Sequence, residues 1–336
     1  MSKQKKELPI PLRLVREYSE RYLGAYALIK KMREEPTLDW DKDKCFIPIA
    51  ATIPIVDNLG KTDRDGIAPS VLAALAAWRE YKEIYHFDYN LAQELYLQAD
   101  DVEDDIPVDV LNALPYPCIY IELDDDDFQG FFVFWEQDFD IEYKNNDYEL
   151  RFLTIGNPDG GLAVYHLHIC GGGTIKESTE RTAARMKRGM ALSGKNVDSS
   201  YIDMIADMQS KVVLRLLQLV LYICAENSEV EENPEQKQIT RRSAAGTPPK
   251  DVYREIRKWD VGVKIGKLIR SQKYERSSTH GEGSVKRPHV RRGHYHHYWV
   301  GSDKDNSKHL ILRWVAPVFV NAASSDDIIV TENKVT

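Results

Sequence analysis

The residues best equipped for chemistry lie close together near the carboxyl end, in the run RPHVRRGHYHHYWVGS from Arg287 to Ser302. In an extended strand after Gly293, side chains alternate between faces. This sets His294, His296 and Tyr298 on one side and Tyr295, His297 and Trp299 on the other. The turn-like DKDNS then returns the chain into LILRWVAPVFV. A hairpin centred on that turn brings Arg313 near His296, whereas a slip of one residue would carry it to the opposite face. The candidate cluster is therefore Arg292, His294, His296, Tyr298 and Arg313.

Three chemistries fit these residue types. Histidines two apart on a strand can share a metal ion, but a third ligand would have to come from elsewhere, and no metal or other cofactor is assigned. A metal-independent ribonuclease would use one of His294 and His296 as general base and the other as acid, with Arg313 set against the developing phosphate charge. A recognition surface would bind peptide or RNA by stacking and charge-assisted hydrogen bonds. Set against all three is a purely structural role, in which Trp299, Trp314 and the inward tyrosines belong to the core.

Other clusters are better read as architecture. Gly171, Gly172 and Gly173 lead from a strand into a helix, as in a phosphate loop, but the GxxxxGK[ST] spacing is absent. Thr174 and Glu177 have capping-box spacing, and Glu177 with Glu180 fills the positive helix end that an anion would need. Asp124 to Asp127 lack calcium-loop spacing and read as a solvated hairpin tip. His166 and His168 share one face of a strand and are expected as a hydrogen-bonded structural pair. Cys45, Cys118, Cys170 and Cys224 are too far apart for a zinc or dithiol motif, so free thiols in a reducing cytosol are expected.

The elements that must position these residues define an α+β chain: a helical N-terminal region, an antiparallel β-sheet with a long packed helix, and a C-terminal β-hairpin rich in His, Arg and aromatics. Helical spacing of apolar residues runs from Leu12 to Glu35, and further helices are expected at Pro69 to Tyr85 and Tyr89 to Gln98. CIYIEL and FFVFWE flank DDDDFQG as a hairpin, and Tyr148 to Ile155 and Leu162 to Ile169 continue the meander. Helices follow at about Ser178 to Arg188 and Ser199 to Ala225. A short helix around Tyr253 to Lys258 then precedes strands at Val261 to Ile265, Val290 to Val300 and Leu310 to Val320. The expected organisation is 1–115 mainly helical, 116–226 meander plus two helices, 227–250 a mobile linker or long loop, 251–321 a basic β-rich region, and 322–336 a tail.

Charge is distributed unevenly along the 336 residues, whose net charge is −8. Seventeen acidic residues and one lysine lie between Asp100 and Leu150, whereas nine basic and two acidic residues lie between Lys264 and His297. Uniform nucleic-acid binding is thereby excluded, while a directed contact through the basic segment is not. The amino terminus breaks at Pro9 and Pro11 and does not read as a secretory signal. The apolar run from Val212 to Ala225 falls short of the roughly 20 residues that span a bilayer, so no membrane partner is expected.

RPHVRRGHYHHYW with the following LRWVAPVFVN, together with LPYPCIYIEL before the meander, resembles anti-CRISPR proteins directed against the type V-A CRISPR effector nuclease. The likeness is to the kind that suppresses effector biosynthesis rather than blocking the finished enzyme. It is firmest over Arg287 to Asn321 and looser over Leu114 to Glu136. It implies a protein of mobile genetic elements, acting in the bacterial cytoplasm. Such a protein would bind the nascent N-terminal polypeptide of the effector and cause loss of its mRNA, with the message or the ribosome as further contacts. It singles out Arg287, His289, Arg291, Arg292, His294, His296, Tyr298 and Trp299 as its signature. Arg313 joins them through the hairpin, as a peptide- or RNA-binding set.

Overall fold

The run Phe131 to Trp135 is apolar at every position, and a strand of that kind needs cover on both faces. The computed structural model describes residues 8–59, 66–99, 106–140, 145–157, 161–169, 172–192, 198–233, 256–278, 289–302 and 307–320. In it this run lies in β3 (Phe128–Asp140), inside a seven-stranded sheet. Across the sheet the order is β5 (Leu162–Ile169), β4 (Asn145–Gly156), β3, β2 (Cys118–Glu122), β1 (Glu83–Phe87), β7 (Arg257–Val261) and β6 (Val230–Glu232). Strands β2 to β5 form the expected antiparallel meander. The sheet as a whole is mixed, because β1 runs parallel to both β2 and β7.

Each face has its own core. Tyr120, Phe132, Phe134 and Leu153 pack with the amino-terminal helices α1 (Ile10–Arg21), α2 (Ala25–Glu34), α3 (Ile49–Leu59) and α4 (Ala68–Tyr81). Ile119, Ile121, Phe131, Val133 and Phe152 pack on the other side with α5 (Tyr89–Tyr96) and the carboxyl half of α7 (Ser199–Cys224), where α6 (Ile175–Leu192) adds Ile175. From Leu216 to Cys224 every residue of α7 is buried, which explains a helix apolar on all sides. Among the described residues no helix is long and apolar enough to cross a membrane.

Several boundaries depart from the sequence reading for identifiable reasons. The single helix expected over 12–35 is two, because Gly24 takes a left-handed φ of +84° between them. The helix expected to reach Tyr85 stops at Tyr81, where Lys82 adopts a left-handed φ of 56° and the aromatic EIYHF continues as β1. Helix α3 carries Pro54 in its interior, a residue that argues against a helix from sequence alone. Arg257 to Val261 is a strand rather than the end of a helix, and Val263 opens α8 (Val263–Ser278) rather than continuing a strand. Residues 227–233 of the stretch expected as a linker are described and contain β6; its remainder, 234–250, lies outside the described residues, as do Cys170 and the tail 322–336. The other three cysteines are free and buried.

In the acidic hairpin turn Asp124, Asp126 and Asp127 are exposed, as a solvated tip requires, but Asp125 is not. Asp125 is buried, and Asp125 Oδ2 and Asp127 Oδ2 accept from Arg215 at 3.0 and 2.6 Å, while the same guanidinium lies 4.1 Å from the Tyr96 ring centroid. The turn thus anchors α7 to the meander. The capping box is present as expected: Thr174 N donates to Glu177 Oε2 (2.9 Å) and Glu177 N to Thr174 Oγ1 (3.2 Å). His168 is structural too, with Nδ1 2.8 Å from Glu149 Oε1 and 2.7 Å from an Arg185 nitrogen. Its neighbour His166 lies 5.0 Å away, ring to ring.

Two stability effects follow. Gly262 joins β7 to α8 at φ +73°, with the Leu91 side chain where a Cβ would be, so Gly262→Ala is expected to cost about 2–3 kcal/mol. A lower urea midpoint at unchanged m-value would be the readout. Burial, only partly offset by Glu149, holds the His166 pKa down at about 4 from 6.5. Burial disfavours ionised Glu149, but the hydrogen bond from His168 and the charge of Arg151 outweigh it and hold its pKa at about 2. The unfolded chain therefore takes up protons first as pH falls. Stability declines from pH 6.5 to 4 through His166 and from 4.5 to 2 through Glu149. His166→Gln is expected to remove about 2–3 kcal/mol of the decline between pH 6.5 and 4, measured by urea unfolding across that range.

Candidate functional site

The histidine-rich segment forms a ribbon of β9 (His294–Val300) and β10 (His309–Val315), extended by β8 (His289–Arg291) and β11 (Val318–Val320). The strands expected over 290–300 and 310–320 are each broken at the same level. Gly293 is packed so closely that a Cβ there would sit 2.8 Å from Gln98 Nε2 and 3.0 Å from the Val315 carbonyl oxygen. Opposite, Pro317 has no N–H to offer a ladder. The register sets Arg313 against His296, Trp314 against Tyr295 and Leu312 against His297.

Face assignment follows from that register. Tyr295, Leu312 and Trp314 are buried against the carboxyl half of α7. Tyr295 Oη donates to the Gln218 carbonyl (2.8 Å), Trp314 Nε1 donates to Gln98 Oε1 (3.2 Å), and the Trp314 ring meets Tyr222 edge-on at 5.3 Å. The chain leaving α7 then fastens the outer edge of β10. Glu226 N donates to Leu312 O (2.8 Å), Trp314 N to Asn227 Oδ1 (2.9 Å), and Asn227 Nδ2 to Trp314 O (2.8 Å). Strand β9 has no strand partner other than β10, so its far edge is open among the described residues.

The opposite face is exposed. His294 Nε2 lies 2.9 Å from His296 Nε2, with the rings 4.6 Å apart and nearly perpendicular, and Tyr298 follows 6.2 Å beyond His296. Arg313, beside His296, gives both Nε and a terminal nitrogen to Glu226 Oε2 at 2.9 Å. Trp299 points to the inner side but lies past the end of the core and is 57% exposed, with Lys308 Nζ 5.4 Å from its ring. Trp314 and Tyr295 are thus core, and Trp299 is not. Arg291 and Arg292 are exposed at the bend. Arg287 lies outside the described residues; His289 is placed in β8, opposite Val320, and its side chain is not described.

Chemically, this is a polar and aromatic wall beside an open strand edge. Two imidazoles in contact with each other do not straddle a scissile phosphate, as a general acid and base must. Glu226 also competes with any phosphate for Arg313. Glu226 was missed in the sequence, where it is simply the first charge after a buried helix. Among the described residues no group of three or more His, Cys, Asp or Glu is placed to hold a metal ion.

The fold is a mixed sheet covered by helices on one side and by a long helix with a β-ribbon on the other. Residues 85–322 match the AcrVA2-like family, described as the anti-CRISPR type V subtype A2 family, and the chain belongs to that family. The crystal structure of AcrVA2 superimposes with a TM-score of 0.60 over 94% of this chain and 100% of that one, at 19% identity, a likeness of fold. The protein FinQ of Escherichia coli is 23% identical over 293 residues, covering 80% of this chain and 81% of FinQ.

The division between scaffold and exposed wall is measurable. Trp314→Ala removes a buried ring and is expected to cost about 3–5 kcal/mol, whereas His296→Ala, on the exposed face, should stay within about 0.5 kcal/mol. Thermal and urea unfolding of the two variants check both values.

Proposed function

We propose that this protein lowers production of the type V-A CRISPR effector nuclease by binding the amino-terminal stretch of the effector polypeptide as it is made, in the bacterial cytoplasm, with loss of the effector message as the outcome. The target follows the family to which the chain belongs. The observation that carries the binding mode is the open edge of β9 beside a wall of half-buried His294 and exposed His296, Tyr298 and Arg313. An extended peptide can add to such an edge by main-chain hydrogen bonds, while alternate side chains meet the wall. Tyr298 and Trp299 act as aromatic anchors, Arg291 and Arg292 take polar or acidic groups of the peptide, and Arg287 and His289 are assigned to the same binding set by the sequence resemblance alone. The contact between the two imidazoles and the Glu226 partner of Arg313 favour binding over direct RNA cleavage.

Capture from a translating lysate tests this. The effector's first segment, fused to a reporter, is expected to be retained by the protein and its message to decline. Combined Tyr298→Ala and Trp299→Ala should weaken retention by about 2 kcal/mol, or roughly thirtyfold. Failure to retain that segment overturns the proposal. So does cleavage of the message by purified protein alone that His294→Ala abolishes, which would establish the ribonuclease instead.

A further inference from the structure

We infer that His294 and His296 form a two-nitrogen chelate for a tetragonal divalent transition ion, of which Cu2+ is the tightest-binding member. The inference is independent of the peptide reading, because it concerns the protein alone, and it goes beyond the sequence, which assigned no metal. The two Nε2 atoms converge to 2.9 Å on the exposed face of one strand. Imidazole nitrogens bind such ions at about 2.0–2.1 Å. At that bond length a tetrahedral angle separates two nitrogens by roughly 3.4 Å, and a right angle by about 2.9 Å. The observed separation, set by the hydrogen bond between the two rings, matches the right angle. Right-angle nitrogen pairs are the geometry of square-planar and tetragonal Cu2+ and Ni2+, and the Irving–Williams order places Cu2+ highest.

The surroundings support the lone-pair arrangement that a metal needs. A proton on His294 Nδ1 donates to the Arg292 carbonyl oxygen at 3.4 Å, which leaves Nε2 as the lone-pair atom of that ring. His296 Nε2 then supplies the proton of the imidazole contact; binding the ion requires that proton to move to Nδ1 and both rings to turn their Nε2 lone pairs to a common point beside the line joining them. The nearby charge of Arg313, which would repel a cation, is offset by its two hydrogen bonds to Glu226. With two protein ligands, the remaining equatorial positions face solvent and are filled by water, in keeping with the lack of a third His, Cys, Asp or Glu in reach among the described residues.

Titration of the untagged full-length chain with Cu2+, followed by electron paramagnetic resonance and equilibrium dialysis, tests the site. The expected result is an axial spectrum with nitrogen hyperfine structure from two imidazoles at one equivalent. Affinity should fall at least about tenfold in each of His294→Ala and His296→Ala. His309→Ala, whose imidazole Nδ1 contacts Ser307 O at 2.8 Å, is expected to bind as the unaltered chain does. Far-UV circular dichroism establishes that the variants are folded. Equal loss in all three variants, no loss in the first two, or a spectrum of tetrahedral rather than axial form overturns the inference. Effector capture without added metal is a separate measurement, so the outcome of one does not decide the other.

Discussion

A strand that is apolar on both faces cannot leave either face in water, and the architecture follows from that requirement. Phe131, Phe132, Val133 and Phe134 are essentially inaccessible, so β3 must lie between two layers. The amino-terminal helices supply one layer and α7 the other. Covering several such side chains on each side stabilises the fold by about 1.5–3 kcal/mol per side chain, far more than any exposed ion pair contributes. The ribbon is a consequence of the same need, since Tyr295, Leu312 and Trp314 complete the cover over the end of α7. Once its inner face is committed to the core, its outer face is turned to solvent with the histidines upon it.

Parallel strand pairs make the sheet larger than the meander alone. Strand β7 joins β1 through a buried carboxylate, Glu83, which accepts from Trp259 Nε1 at 2.6 Å and from the Arg257 guanidinium. A fully buried charge is tolerated only when it is paired and hydrogen-bonded, and here both conditions are met. The family match begins within β1 and runs past β11, so it covers the meander, α7 and the ribbon but not α1 to α4. The amino-terminal helices α1 to α4 cover the second sheet face.

Much of this was legible in residue order. The meander β2 to β5 declared itself by aromatic and β-branched runs between turn residues, and the hairpin register that opposes Arg313 to His296 follows from the turn position. The capping box at Thr174 was legible as spacing. Strand β1 was not, because five residues after a helix carry too little pattern to separate strand from helix, and only the parallel partners on either side define it. Strand β7 was hidden for the same reason. The role of Asp125 was missed because its partner Arg215 is 90 residues away, and four consecutive aspartates look solvated until such a partner arrives. Gly293 was legible as a glycine, but not the packing of Gln98 and Val315 that demands one.

The attachment of the ribbon has a dynamic consequence. Its strands pair with each other and not with the seven-stranded sheet, and it is held by Tyr295, Leu312, Trp314 and the backbone links from Glu226 and Asn227. A unit fastened through so few points can open as its own cooperative segment, at less cost than melting the sheet. Amide protons of β9 would then exchange through this local opening while those of β3 await global unfolding. The exposed wall is thus carried on a ribbon outside the seven-stranded sheet, anchored to the core by its inner face.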